Sequence, residues 1–392
     1  MREMLRSGVW LTDKRRRAWC LIALVGFISA LVFLIVTSSD GMDFKGRPLG
    51  TDFLNVWAAG RLALEGTPAL AWDYPSHARV ELTLFPKLAT YYGWHYPPPL
   101  LIVAALLALL PYLASVAVWL AVTFEMMRQA ARGLVFDRLA AWAFPGLFIN
   151  ITHGHNAFLS SALLLGGLRL LDSHPWLAGA LLGGLSFKPQ LGVLIPVALA
   201  AGGMWRAFGG ATLSVLGMAV LSWLVLGTDS WLAFIDSVPL TRHAVLEGGA
   251  IGYGKMQNVF AAARLLGAGI DLAWMIQTVS ALVAAGVVAW LWRRSDTTLE
   301  DKAASLVLGT LLAAPYLLDY DLMLLAVPLL LKAHGGKFRP WEISFYALLW
   351  ALPLLARPFG MWLFVPLTPL VSVLGLWLLV SYQKPFLKVS SP

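Results

Sequence analysis

The chain has 392 residues, 59% hydrophobic and 13% charged, with a mean hydropathy of +0.73. Soluble domains carry about 25% charged residues, so a water-soluble globule is excluded, as are disordered chains, coiled coils and disulfide scaffolds. The composition is that of a polytopic integral membrane protein read as one transmembrane domain over residues 1–392. A crossing takes about 20 apolar residues, and about a dozen crossings leave room for one or two ordered outer segments but no separate soluble domain. The formal charge of +8 is read as membrane topology. No basic run is interleaved with aromatics outside the apolar stretches, so the expected partner is the lipid bilayer, not nucleic acid. The single cysteine, Cys20, can form no intramolecular disulfide and suggests no metal site.

In chain order, Arg2, Arg6 and the run Lys14–Arg17 precede the apolar stretch Ala18–Thr37. That stretch is too long for the core of a cleaved signal peptide and reads as the first crossing. Further candidate spans are 98–123, 139–151, 156–172, 175–187, 189–204, 208–227, 271–292, 303–317, 321–333, 342–356 and 361–381, about twelve in all. Several are short, and short Gly/Pro-broken helices at membrane depth are tolerated where they line a cavity or are buried in protein. Two outer loops are long. Residues 38–97 are too many for a structureless connection; within them Asp52–Gly66 has helical apolar spacing, with Thr51 a candidate N-cap, and is expected to lie in the interface plane. Residues 228–269 form the second.

Alternating from a cytoplasmic N-terminus, most Lys and Arg fall inside: Arg2, Arg6, Lys14–Arg17, Arg128, Arg132, Arg138, Arg206, Arg293, Arg294, Lys302, Lys332, Lys337, Arg339, Lys384 and Lys388, with Arg169 ambiguous. This obeys the positive-inside rule. Acidic residues, among them Asp52, Asp319 and Asp321, fall outside, so any chemistry is expected on the periplasmic or extracellular face of a bacterial inner membrane.

Five places carry polar residues that invite a role. Asp52 opens the interfacial helix, either as a cap favoured by the helix dipole or as a catalytic carboxylate. His95 and Tyr96 precede Pro97-Pro98-Pro99 at the start of the second span. His153-Gly154-His155-Asn156 is a hairpin, read equally as a polar turn or a substrate contact; the two histidines share no helical face, so a metal there is weak. Lys188-Pro189-Gln190 interrupts an apolar stretch on the outer side, where the topology rule disfavours lysine. An ionisable residue within a span is by default a functional hypothesis, and a cation at a helix break suits a phosphate. Arg242-His243 and Lys255 punctuate the second outer loop, where solvated charge is the bland explanation. Asp319 and Asp321 lie in Pro315–Asp321, either paired with cations or available for acid/base work. There is no P-loop, HExxH or GxSxG motif.

The ordered set Gly50-Thr51-Asp52-Phe53…Trp57-Ala58-Ala59-Gly60…Glu65-Gly66, His95-Tyr96-Pro97-Pro98, His155-Asn156, Ser186-Phe187-Lys188-Pro189-Gln190 and Pro315-Tyr316…Tyr320-Asp321 resembles glycosyltransferase family 87. These are GT-C-type, polyprenyl-phosphate-mannose-dependent alpha-1,2-mannosyltransferases, and the resemblance covers about residues 20–380. It implies an all-α GT-C fold, a polyprenyl-phosphate sugar donor, a reaction at the outer leaflet and inversion at the anomeric carbon. By position it implies that Asp52 is the general base, that Lys188 binds the lipid phosphate, and that Tyr96, Asn156 and Asp321 face the cavity. His155 stands where the family more often has Gln.

The expected reaction moves a sugar, mannose by the resemblance, from the donor to a hydroxyl of a glycolipid or glycan acceptor. A carboxylate such as Asp52 takes the hydroxyl proton, while Lys188, with Arg242 and Lys255 as further candidates, steadies the leaving phosphate. Tyr96, His95, His153, His155, Asn156, Asp319 and Asp321 are the expected substrate contacts. No cofactor and no metal are expected; turnover lost in EDTA and restored by a divalent ion overturns the second of these. The alternative from another class is a transporter or flippase of lipid-linked saccharides, for which paired broken helices in internal repeats are the signature; no clear repeat is seen. A membrane scaffold explains none of the ordered polar motifs.

Overall fold

The computed structural model describes residues 1–383, and every regular element among them is helical. Lys384 and Lys388 lie outside the described residues. The chain opens with α1 (Arg2–Ser7) and α2 (Asp13–Val36), the latter started by the Thr12 hydroxyl accepting from the Arg15 N–H. The first outer segment folds into α3 (Phe53–Leu64), a 3₁₀ turn at Pro68–Trp72 and α4 (Tyr74–Leu84). Then follow α5 (Pro98–Leu107), α6 (Tyr112–Ala130), α7 (Arg138–Trp142), α8 (Pro145–His153), α9 (Ala157–Leu170), α10 (Pro175–Gly184), α11 (Pro189–Gly192), α12 (Ile195–Ala201) and α13 (Trp205–Leu226). The second outer segment forms α14 (Thr228–Thr241), a wide turn at Arg242–Glu247 and α15 (Val259–Leu265). The chain continues through α16 (Ile270–Arg293), α17 (Leu299–Ala313), a 3₁₀ turn at Asp319–Leu325, α18 (Ala326–Gly335), α19 (Glu342–Trp362) and α20 (Leu367–Gln383).

Among the described residues, four helices are long and apolar enough to cross a membrane: α2, α13, α16 and α19. A fifth crossing arises if α5 and α6, bent by 119°, count as one. The remaining apolar runs form shorter or bent helices among the described residues. Prolines explain much of the difference, because a proline removes a backbone donor and clashes with the preceding turn. The run 139–151 divides before Pro145, 189–204 divides near Pro196, and 321–333 begins as a 3₁₀ turn and becomes helical only at Ala326. Other runs are core. Every residue of α17 from Ala303 to Ala313 is buried, enclosed by α16, α18 and α20. Hydropathy reports apolar side chains, and these serve the protein interior as well as lipid. The exposed apolar faces of α2, α13 and α16 are those of a multi-pass membrane protein.

The helix expected in the first outer segment exists as α3, with one correction. Asp52, not Thr51, occupies the N-cap position, and its side chain makes no capping bond. Eight of its twelve residues are buried in protein. A Cβ on Gly60 would sit 2.1 Å from the Ala104 carbonyl oxygen, which is how closely α3 is seated on α5.

Several residues of the segments assigned to the inner side are tied to one another. Arg16 pairs with Asp137 at 3.0 Å, Arg169 donates to the Arg132 carbonyl at 3.0 Å, and the Trp10 indole donates to Ser344 at 2.6 Å. Close by in sequence to Ser344, Arg339 pairs with Asp301 at 2.6 Å and Lys332 with Glu342 at 2.8 Å.

Helix α4 braces the outer segment. The His77 imidazole contacts the Asn55 carbonyl at 3.1 Å, and Glu81 accepts the Tyr92 N–H at 3.1 Å, tying α3 to the stretch that leads to Tyr96. His77 and Glu81 are fully buried and 3.7 Å apart, yet they are not an ion pair at neutral pH. Burial holds His77 down to about 4 and pushes Glu81 up to about 8. The native state keeps a proton on Glu81 that the unfolded chain releases near 4.5, so stability falls as pH rises through 8. His77 slopes the other way, its contribution being lost as pH falls from 6.5 through 4. Glu81→Gln is expected to flatten the drop in unfolding temperature between about pH 6 and about pH 9. An unchanged drop would mean that Glu81 is already ionised in the native protein.

Candidate active site

Two glycines place Asp52. Gly154 ends α8 in the left-handed region at φ 59°, and Gly50 precedes Asp52 at φ 71°. A Cβ on Gly154 would lie 3.2 Å from the Gly50 Cα and 2.8 Å from the Phe53 Cβ, so the two turns touch backbone to backbone. Across this contact the Asp52 N–H donates to the His153 carbonyl at 3.0 Å. The Tyr112 hydroxyl fixes the same turn by donating to the Leu49 carbonyl at 2.8 Å. With its backbone held and its carboxylate not spent on capping, Asp52 lies within electrostatic reach of His153, Lys188, Asp319 and Asp321, the polar cluster called the chamber below. Burial pushes its carboxyl above the ordinary range; His153 and Lys188 pull it back, and Asp319 and Asp321 push it further up.

Lys188 follows the short 3₁₀ turn Leu185–Phe187 and precedes Pro189, where the chain cannot continue one helix. Its side chain is 3% exposed, and its ammonium reaches Asp321 at 2.5 Å, His155 Nε2 at 3.4 Å and Asn156 at 3.5 Å. The other carboxylate oxygen of Asp321 accepts the Leu318 N–H at 3.0 Å. His155 is stacked on Tyr320, ring centroids 3.6 Å apart, and its Nε2 lies 3.3 Å from the Tyr96 hydroxyl. Lys188 stands 5.3 Å from the centroid of the same Tyr320 ring, a cation–π contact. The motifs around residues 52, 96, 155, 188 and 321, far apart in sequence, thus converge on one chamber.

The other candidates divide. His153 turns its Nδ1 to the Ile149 carbonyl at 2.8 Å, leaving Nε2 for the chamber, so the two histidines of the hairpin serve different partners. Asp319 lies on the chamber wall and pairs with Arg357 at 3.1 Å. His95 does not join the Lys188 cluster; its ring meets the Thr241 hydroxyl at 3.1 Å and links the two outer segments. Arg242 is exposed, bonded to Glu247 at 2.8 Å and lying 4.5 Å from the Trp274 ring centroid, so it is a surface contact. Lys255 is half-buried and makes no ion pair among the described residues. Its neighbour Met256 bridges to Leu318, and Gln257 donates from its backbone to the Leu317 carbonyl at 2.9 Å.

Sequence reasoning missed Arg357. It sits inside α19 between Pro353 and Pro358, and the apolar run 342–356 stops just before it. Reading the run on to Trp362 would have shown an arginine within a span, the signal already applied to Lys188.

The family model of glycosyltransferase family 87 matches residues 94–315, more than half of the chain. The chain belongs to glycosyltransferase family 87. No curated protein and no solved structure matches it. The matched stretch of this family 87 glycosyltransferase contains Tyr96, His155, Asn156 and Lys188. Asp52, Asp319, Asp321 and Arg357 lie outside it and are joined to it by contact, Asp52 through His153 and Asp321 through Lys188.

Proposed function

We propose that this glycosyltransferase moves a sugar, mannose, from a polyprenyl-phosphate donor to a hydroxyl of a glycolipid or glycan on the outer face of the membrane, with inversion and with Asp52 as general base. The observation that carries the reading is the uncapped Asp52 carboxylate opposite the buried Lys188–Asp321 pair. A sugar hydroxyl is a poor nucleophile at neutral pH. Asp52 accepts its proton as the oxygen attacks the anomeric carbon, and the bond from that carbon to the phosphate oxygen breaks. The products are the new glycoside, a protonated Asp52 and a polyprenyl phosphate carrying one more negative charge than the donor ester. A phosphate leaves without a general acid, so a second catalytic carboxylate is not required, unlike a glycoside hydrolase. Lys188, in a water-poor chamber, supplies positive potential where that charge grows.

Tyr96, His155, Asn156, Asp319 and Asp321 form the walls against which the sugar hydroxyls are ordered. The GT-C architecture and the cytoplasmic N-terminus belong to the same proposal, the latter supported by the excess of Lys and Arg in the segments assigned to the inner side. The test is transfer of labelled sugar from polyprenyl-phosphate mannose by the purified protein in liposomes supplied with a mixed membrane-lipid acceptor pool. Labelled glycolipid is the expected product. Label that crosses the bilayer with no glycosidic bond formed would overturn the reading in favour of a carrier.

A further inference from the structure

We propose that Arg357 is the side chain that grips the donor's phosphate, an assignment that rests on the polyprenyl-phosphate reading above. An ammonium has three donors and a guanidinium five. The three donors of Lys188 face three acceptors of the protein itself, Asp321, His155 and Asn156, and its side chain is 3% exposed. Binding a phosphate directly at Lys188 would mean abandoning the buried Asp321 carboxylate. Arg357 is in the opposite condition. One of its N–H groups is engaged, on Asp319, and its side chain is 34% exposed while that of Asp319 is 9% exposed. Its remaining donors match the fork geometry with which guanidinium binds phosphate.

Its position suits the role. Asp319 is two residues from Asp321, the partner of Lys188, and adjoins Tyr320, on which His155 is stacked, so a phosphate held beside Asp319 lies next to the Lys188 cluster. The site is built: Pro353 and Pro358 flank the arginine, and one turn later the Gly360 backbone packs against that of Gly254, next to Lys255. In the resting protein Asp319 occupies the guanidinium; the donor's phosphate takes its place or shares the fork. The carboxylate then competes with the phosphate, which gives the two partners opposite signs on substitution.

The test measures the rise in unfolding temperature given by a polyprenyl phosphate, by the matching polyprenol and by inorganic phosphate, alongside donor and acceptor KM. Wild type is expected to be stabilised by polyprenyl phosphate beyond polyprenol, with little effect of inorganic phosphate. Arg357→Gln is expected to lose that difference and to raise donor KM at least about tenfold with acceptor KM unchanged, and added guanidinium to restore part of the loss. Asp319→Asn is expected to tighten polyprenyl phosphate binding. Should Arg357→Gln fail to accumulate, Arg357→Lys, which keeps the charge and loses the fork, is expected to weaken binding several-fold at an unchanged unfolding temperature.

Three outcomes overturn the assignment. In one, Arg357→Gln (or Arg357→Lys in its place) retains the full polyprenyl phosphate effect. In another, Asp319→Asn and Arg357→Gln weaken binding alike, which would make the pair a structural tie. In the third, inorganic phosphate alone reproduces the shift. Wild type that responds equally to polyprenyl phosphate and polyprenol would instead show that the donor class itself is wrong.

Discussion

Replacing Asp52 by Asn is expected to lower sugar transfer by about 10²–10⁴-fold, the range for loss of a general base, while donor binding is kept. Asn is close in size, and the backbone bond from residue 52 to the His153 carbonyl does not involve the side chain, so the turn should survive. The loss is expected in kcat at saturating donor and acceptor, since the proton is accepted only as the bond forms. The pH profile gives a second check. The base must be ionised, so the rate rises about tenfold per pH unit below its pKa, and burial places that limb above the ordinary carboxylate range. Asp319 pushes Asp52 upward, so Asp319→Asn is expected to move the limb to lower pH. Full transfer by Asp52→Asn would remove Asp52 as the base and leave the family assignment untouched.

The second large effect concerns Lys188 and Asp321. Both are buried, 3% and 0% exposed, and joined at 2.5 Å. Removing one partner strands the other charge, which costs about 3–5 kcal/mol. Lys188→Met and Asp321→Asn are each expected to lower the unfolding temperature strongly and to abolish transfer. The double variant, Lys188→Met with Asp321→Asn, strands no charge, and the carbonyl oxygen of the introduced amide can still accept the Leu318 N–H. It is expected to regain most of the lost stability and none of the activity. Single losses that simply add in the double variant would show that the two side chains are not energetically coupled.

The chamber was legible from sequence where a polar residue stood against a strong apolar background. Lys188 broke a membrane-length run, and His155-Asn156 and Asp319–Asp321 stood at breaks between such runs. Arg357 was no less anomalous, but it falls at the edge of a hydropathy run and so read as loop. Arg242 and His95 were singled out by the same kind of signal. Each has the right charge or ring in the right outer segment, and only the fold reveals that Glu247 and Thr241 take them. Asp52 was open between cap and catalyst, since both roles need a carboxylate at the start of a helix; in the fold it holds the N-cap position without a side-chain capping bond.

Membrane residence, helical class, the sidedness pattern of the charges and the ordered polar motifs were determined by the sequence alone, because each depends on side-chain type and local spacing. The number of long crossings, the enclosure of α3 and α17, and the pairing of Lys188 with Asp321 and of Arg357 with Asp319 were decided by tertiary structure. An apolar side chain is equally content against lipid or against another helix, and a buried charge is indifferent to how far along the chain its counter-charge lies. Periodicity therefore marks a buried or lipid-facing surface without naming its partner, and the partner is fixed only when residues 133 positions apart are brought into one low-dielectric chamber where an unpaired charge is too costly to remain.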